Sequence, residues 1–197
     1  MSQIYNIKID YNLVLSRMGA NKFKTRIDLK TESSVLEIID NAQKLLQPKY
    51  ALAYADKILS NGIINTDGLI IESFDIIKLL ADSTKICGLV ATIGNAIDQK
   101  IELLQKTDKV KALIYDAAGS VAIEQLVNAL NNEIKNSNPD FKPTRRFSVG
   151  YGDWKIENQK PFLKWLGAEK IGITLSDSFQ MTPRKSVSAI IGLIPSK

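Results

Sequence analysis

The chain has 197 residues, 45% of them hydrophobic and 24% charged, with a formal net charge of +5. This composition is globular rather than disordered, and at roughly 150 residues per domain the length fits one domain spanning 1–197. There is no histidine and one cysteine, Cys87, which removes Ser-His-Asp and Cys-His catalysis, His-ligated zinc, an intramolecular disulfide and a Cys-rich metal site.

No catalytic side chain and no metal site of this chain's own is therefore expected. Cys87 lies in the apolar run Ile86-Cys87-Gly88-Leu89-Val90 and reads as a core thiol. No run approaches the ~18 apolar residues of a membrane span. Met1 to Asp10 lacks the pattern of a secretory signal, so no membrane association and a cytoplasmic location are expected. The densest basic cluster is Arg17, Lys22, Lys24 and Arg26. It reads as an anion-facing patch or a solvated face; no nucleic-acid signature accompanies it, and no nucleic-acid partner is expected.

The elements follow in chain order. An extended piece, Ile4 to Ile9, leads to Asp10, an N-cap for a short helix from Asn12 to Met18 that stops at Gly19. Ala20 to Lys30 is polar and basic and reads as a loop. Ser34-Val35-Leu36-Glu37 has the form of a capping box opening a helix that Pro48 ends. Tyr50, Leu52 and Tyr54 alternate with small residues, and Gly62 and Asp67-Gly68 mark turns, so Tyr50 to Glu72 reads as an antiparallel meander.

A helix from Phe74 to Ala81 precedes a buried strand, Lys85 to Ile93. Gly94 begins a helix through Gln105, and Thr107 or Asp108 caps a long helix to about Lys135. Asn136-Ser137-Asn138-Pro139 breaks the pattern. A helix from Ile156 to Leu166 ends at Gly167, and Ile171 to Leu175 and Ser186 to Ile194 are the last strands. The uneven interleaving predicts an α+β fold with a mostly antiparallel sheet flanked by helices, one of them long.

Three stretches carry candidate chemistry. On the long helix, Val110, Leu113, Ile114, Ala117 and Val121 form an apolar stripe, and Glu124 continues it. A carboxylate there needs a partner or a ligand, unless the helix rolls so that Leu126, Leu130 and Ile134 face the core and Glu124 meets solvent. Ala117-Ala118-Gly119-Ser120 permits close approach of a ligand or of another element.

The loop Arg145 to Trp154 holds two arginines, two glycines, aromatic rings and an acid. An arginine fork suits a carboxylate or phosphate, glycine lets a ligand touch backbone, and aromatic faces attract cations. A zwitterionic, cationic ligand would suit these parts; so would plain turn chemistry. Arg184 and Lys185, after Pro183, read as an anion contact or as turn residues.

Taken together, these stretches resemble a known family. Arg146-x-x-x-Gly150-Tyr151 resembles the S-adenosylmethionine-binding motif of the activation domain of cobalamin-dependent methionine synthase. Asp177-Ser178-Phe179-x-Met181-x-Pro183, followed by Ser186-Val187-Ser188, resembles that domain's second signature. Stand-alone relatives of the domain are more similar still, through Ala91 to Gly94, Asp108 to Ala112, Asp116-Ala117, Ala122 to Glu124, Arg146 to Asp153 and Pro183 to Val187. The likeness runs from about Asp10 to Leu193. Thr182 stands where the fused domain has tryptophan, and Lys197 is reached before that domain's C-terminal tyrosine-containing segment.

The resemblance implies a separate reactivation subunit for cobalamin-dependent methionine synthase. It would bind S-adenosylmethionine and support reductive methylation of oxidised cobalamin carried by a partner. That partner would be the cobalamin-binding portion of the synthase or another corrinoid protein, with an electron donor such as flavodoxin. The sulfonium is already a good leaving group and no proton need move, so a site without histidine suffices. By the same resemblance Arg146 would clamp the ligand carboxylate. Gly150 would let the backbone approach, and Tyr151 would line the pocket. Glu124 would meet the amino group or ribose, and Asp10 is a further candidate for the amino group. The rival reading is a non-catalytic module that docks on a corrinoid protein and binds no ligand itself.

Overall fold

The computed structural model describes residues 7–20 and 28–196. Its centre is an antiparallel sheet in the order β1-β5-β9-β6, comprising β1 (Lys49–Asp56), β5 (Lys85–Thr92), β9 (Ser186–Pro195) and β6 (Phe141–Pro143). β5 and β9 form the middle, with seven of the eight residues of β5 and six of the ten of β9 buried. Their sequences are accordingly continuous apolar runs rather than alternating ones. Cys87 lies in β5 with no solvent exposure, and burial pushes its thiol up to about 12.

One face of the sheet carries α1 (Tyr11–Arg17), α2 (Leu29–Leu45), α4 (Ala96–Gln105) and α5 (Lys109–Ser137). These helices bury Val14, Ile38, Ile97, Ile114, Val121 and Leu126 against Leu89 and Ala91. The opposite face carries α3 (Phe74–Leu79), α6 (Gln159–Leu166) and a small sheet of β2 (Leu59–Ser60), β3 (Ile63–Thr66) and β4 (Leu69–Ile71). Trp154 and Phe162 pack there edge to face, with ring centroids 5.2 Å apart. A two-stranded hairpin of β7 (Thr174–Leu175) and β8 (Met181–Thr182) completes that side. All strand pairings among the described residues are antiparallel, the α+β arrangement expected. Among the described residues no helix is long and apolar enough to cross a membrane.

Several boundaries differ from expectation. α2 starts at Leu29, not at Ser34, because the Asp28 carboxylate caps it by accepting from the Thr31 N–H at 3.0 Å and the Thr31 hydroxyl at 2.8 Å. Ser34 and Glu37 are thus interior helix positions, and Leu29 and Lys30 of the expected loop belong to α2, while residues 21–27 lie outside the described residues. The meander does not include β1. That strand pairs with β5, and β2–β4 form their own sheet. The segment from Ala168 to Ile171 is a 3-10 helix, so the expected Ile171–Leu175 strand shrinks to two residues.

The Ile156–Leu166 helix begins with a 3-10 turn over Ile156–Asn158 and ends at Gly167, whose φ of 64° only glycine adopts readily. Asp108 is the cap of α5 and Asp10 the cap of α1, each accepting from the N–H three residues on. The expected segment Ile4 to Asn6 and the basic residues Lys22, Lys24 and Arg26 lie outside the described residues.

Candidate ligand-binding site

The site grows out of an unfinished sheet edge. Ile190 of β9 exchanges two backbone hydrogen bonds with Phe147, at 3.0 and 2.8 Å. Gly192 is likewise held on this edge by Thr144. Alternate residues of a strand turn their N–H and C=O groups to the same side, so Ser188 and Ser186 turn theirs to this edge as well. β6 pairs only with Leu193 to Pro195, and no strand among the described residues takes up the edge at Ser186–Ser188.

A cleft of about 460 Å³ lies there. Its floor is Ser186, Val187 and Ser188, and one wall is Ser148, Val149 and Tyr151 with Ile156 and Gln159. The other wall is Phe179, Gln180, Met181 and Arg184. Gln159 and Ser188 are both buried and joined by a hydrogen bond of 2.8 Å from the amide to the hydroxyl. The result is an oriented polar pair at the base of the cleft. Tyr151 is exposed, which leaves its ring available to a ligand.

The first wall is fixed from behind. Gly150 has a φ of 88°, and a Cβ on it would come within 3.0 Å of Ile156. Gly150 N–H donates to the Trp154 carbonyl at 2.8 Å, closing the turn. Asp153 then reaches across to α3, where its carboxylate accepts from the Ser73 hydroxyl and from the backbone N–H of Phe74 at 2.7 Å. These bonds hold the Asp153 carboxyl below the usual carboxylate range, the Ser73 hydroxyl first among them.

The second wall is pinned as firmly. The turn after β7 closes through Ser176 N–H to the Gln180 carbonyl at 2.9 Å, with Phe179 held at a φ of 61°. Arg184 N–H donates to the buried carboxylate of Asp98 at 2.6 Å. Lys185 lies under α5, bonded at 2.8 Å to both Asp116 and Ser120. A Cβ on Gly119 would meet that lysine stem at 3.2 Å, so the small-residue stretch of α5 accommodates Lys185. Lys185 is thereby a structural cation and not a free anion contact.

The candidate residues fall into three places. Tyr151 lines the cleft and Gly150 shapes its wall. Arg146 and Glu124 come together, with Nη2 and Oε2 3.6 Å apart, but neither lines the cleft. Arg146 Nη1 is buried with no hydrogen-bond partner among the described residues.

α5 combines the two alternatives: Ile114, Ala117 and Val121 of the stripe are buried, and Glu124 is both partly exposed and paired with Arg146. Leu126, Leu130 and Ile134 are fully buried, Val110 and Leu113 are exposed, and Glu124 is about half exposed. Asp10 stands apart from all of these, in a groove of about 800 Å³ between the segment 7–12 and α2. Sequence reasoning missed Gln159 and the free β9 edge as site components. The Ser186-Val187-Ser188 signature marked the place of that edge.

The fold is that of a methionine synthase reactivation domain. Among solved structures, one described as the MetH reactivation domain bound to AdoHcy is similar to this chain, with a TM-score of 0.71 at 16% identity. It covers 96% of this chain and 75% of that one. Neither a protein-family model nor a curated protein sequence matches this chain.

Proposed function

We propose that this protein binds S-adenosylmethionine in the Ser186–Ser188 cleft and acts as a reactivation subunit for a cobalamin-dependent methionine synthase. The observation that carries the reading is the unpaired β9 edge flanked by Tyr151 and Phe179, in a fold shared with a domain described as bound to AdoHcy. A purine presents donors and acceptors along one edge, and a strand with free N–H and C=O groups matches such an edge. The buried Gln159–Ser188 pair adds oriented polar atoms at the base. The aromatic faces of Tyr151 and Phe179 suit a sulfonium.

S-adenosylmethionine supplies an activated methyl group when bound. The residues of this chain would then act by positioning, with Ser186, Val187 and Ser188 of β9 holding the donor. Gly150 and Tyr151 make the wall beside it. The Arg146–Glu124 pair links the 145–149 segment to α5. In this reading the acceptor is oxidised cobalamin on a separate protein, under reduction by an external donor such as flavodoxin.

Isothermal titration with S-adenosylmethionine and S-adenosylhomocysteine tests the reading. Saturable binding at micromolar to millimolar concentrations is expected, and a Ser188→Trp substitution in the floor abolishes it. No heat and no thermal shift at millimolar ligand, with the fold intact, overturns it.

A further inference from the structure

We infer that the outer edge of β1 is a self-association surface, on which a second copy of this chain adds its own β1 in antiparallel register. The inference goes beyond the S-adenosylmethionine reading and does not depend on it: the cleft lies on β9, and β5 separates β9 from β1. β1 is an end strand of the central sheet, and no strand among the described residues pairs with its outer side. Such an edge offers backbone donors and acceptors to another strand. Proteins usually block it by shortening the strand, bulging it, or placing lysine or proline along it. The other end of the sheet is blocked in that way: β6 has three residues, and two of them are Lys142 and Pro143. β1 has eight residues, keeps an unbroken register with β5, and carries charge only at its ends, Lys49 and Asp56.

The pairing with β5 fixes which groups face outward. Lys57 N–H donates to the Thr84 carbonyl at 2.8 Å, one step beyond the Asp56–Lys85 pair. Opposed residues that bond in this way alternate along an antiparallel ladder. Ala51, Ala53 and Ala55 therefore turn their N–H and C=O groups to β5, while Leu52 and Tyr54 turn theirs to the open side. Ala51, Leu52 and Ala53 are half-buried and Tyr54 is 43% exposed, so the edge is accessible. A groove of about 630 Å³ runs beside Ala51 to Ala53, walled by Trp165, Leu166 and Ile171, and leaves room for a second strand.

The strand's complementarity to itself selects the occupant. A two-fold pairing opposes outward-bonding residues to one another. Centred on Leu52, it sets Leu52 against Leu52 of the partner subunit, Tyr50 against Tyr54 of the partner subunit, and Ala51 against Ala53 of the partner subunit. Apolar and aromatic residues then meet along the whole pairing. At both ends Lys49 comes within one position of Asp56 of the partner subunit, so opposite charges flank the apolar middle. The neighbouring registers are worse. Centred on Ala53, the pairing would oppose Lys49 to Lys57 of the partner subunit, a like-charge pair. Centred on Ala51, it would oppose Pro48, which has no N–H, to Tyr54 of the partner subunit.

Analytical ultracentrifugation of the full chain from micromolar to millimolar concentration reads the mass. Wild type should pass from 21.9 kDa to twice that mass as concentration rises. Leu52→Pro removes an outward donor, and Tyr54→Lys places a charge in the paired row. Each should lose the dimer, with circular dichroism confirming the fold. Leu52→Cys should give a disulfide-linked dimer under mild oxidation, because the two-fold opposes this position to itself at the ~5.5 Å Cα separation of a hydrogen-bonded pair. Glu102→Cys, on the exposed side of α4, should not, and the buried Cys87 leaves wild type uncross-linked. A wild type that stays at 21.9 kDa at millimolar concentration overturns the inference. So does a dimer that survives Tyr54→Lys with the fold intact, or a Leu52→Cys chain that cross-links no more than Glu102→Cys. Should Leu52→Pro fail to fold, Tyr54→Lys and the cross-link decide.

Discussion

Asp75 and Asp153 hold each other's backbones: the Asp75 carboxylate accepts from Asp153 N–H at 3.2 Å, and the Asp153 carboxylate accepts from Asp75 N–H at 3.3 Å. This reciprocal pair ties the Tyr151–Trp154 turn to the start of α3 and so fixes one wall of the cleft. Between them sits Gly152 at a φ of 55°, where a Cβ would come within 2.1 Å of the Asp75 carboxylate and 3.3 Å of Phe147.

Gly152→Ala should therefore destabilise the protein by ~1–3 kcal/mol, through left-handed strain and displacement of Asp75. Chemical denaturation measures the loss, and calorimetry should show weaker binding of S-adenosylhomocysteine because Tyr151 moves with the turn. An unchanged denaturation midpoint would mean that the turn is not held as described.

Asp153 also sets an acid limit. An unfolded aspartate titrates near ~3.9, and in the folded chain the Ser73 hydroxyl and the α3 N–H groups lower its value. The unfolded state thus takes up the proton first. The carboxylate's stabilisation is fully present above the unfolded value and is lost as pH falls through the lower folded value. Asp153→Asn should lower stability at neutral pH and flatten the decline between about pH 5 and about pH 2. Thermal melts across that range give the comparison.

Gly88, in the middle of β5, has no room for a methyl group. A Cβ there would come within 2.2 Å of the Trp165 ring and 2.9 Å of Leu166. Gly88→Ala should cost ~1–3 kcal/mol by overpacking, read as a lower denaturation midpoint at unchanged slope.

Ser188→Ala removes the hydroxyl that accepts from the buried Gln159 amide. An amide donor stranded at the base of the cleft should cost ~1–3 kcal/mol. The same change should reduce ligand affinity, because Gln159 loses its orientation. Retained affinity would place Gln159 outside the contact surface.

What the sequence made legible was local. β5 was readable because a buried central strand is a continuous apolar run, and α5 because Asp108 caps a long periodic segment. The true start of α2 had a signal of its own, Asp28 with Thr31 three residues on. The Ser34–Glu37 spacing imitates a capping box because residues three apart are neighbours anywhere on a helix.

The partners of β1 and the free edge of β9 were not readable. Each depends on residues tens of positions away, such as Tyr54 opposite Cys87 and Phe147 opposite Ile190. The meeting of Arg146 with Glu124 was legible only through resemblance, which brought both into one site. It did not show that Glu124 occupies one end of the guanidinium, nor that Arg184 lines the cleft.

The most direct measurement is a crystal structure of the full chain soaked with S-adenosylhomocysteine. Density for the nucleoside should lie along Ser186–Ser188, its base hydrogen-bonded to β9 backbone and Tyr151 beside the thioether. Density only in the groove beside Asp10, or an empty β9 edge at saturating ligand, would contradict binding at this edge.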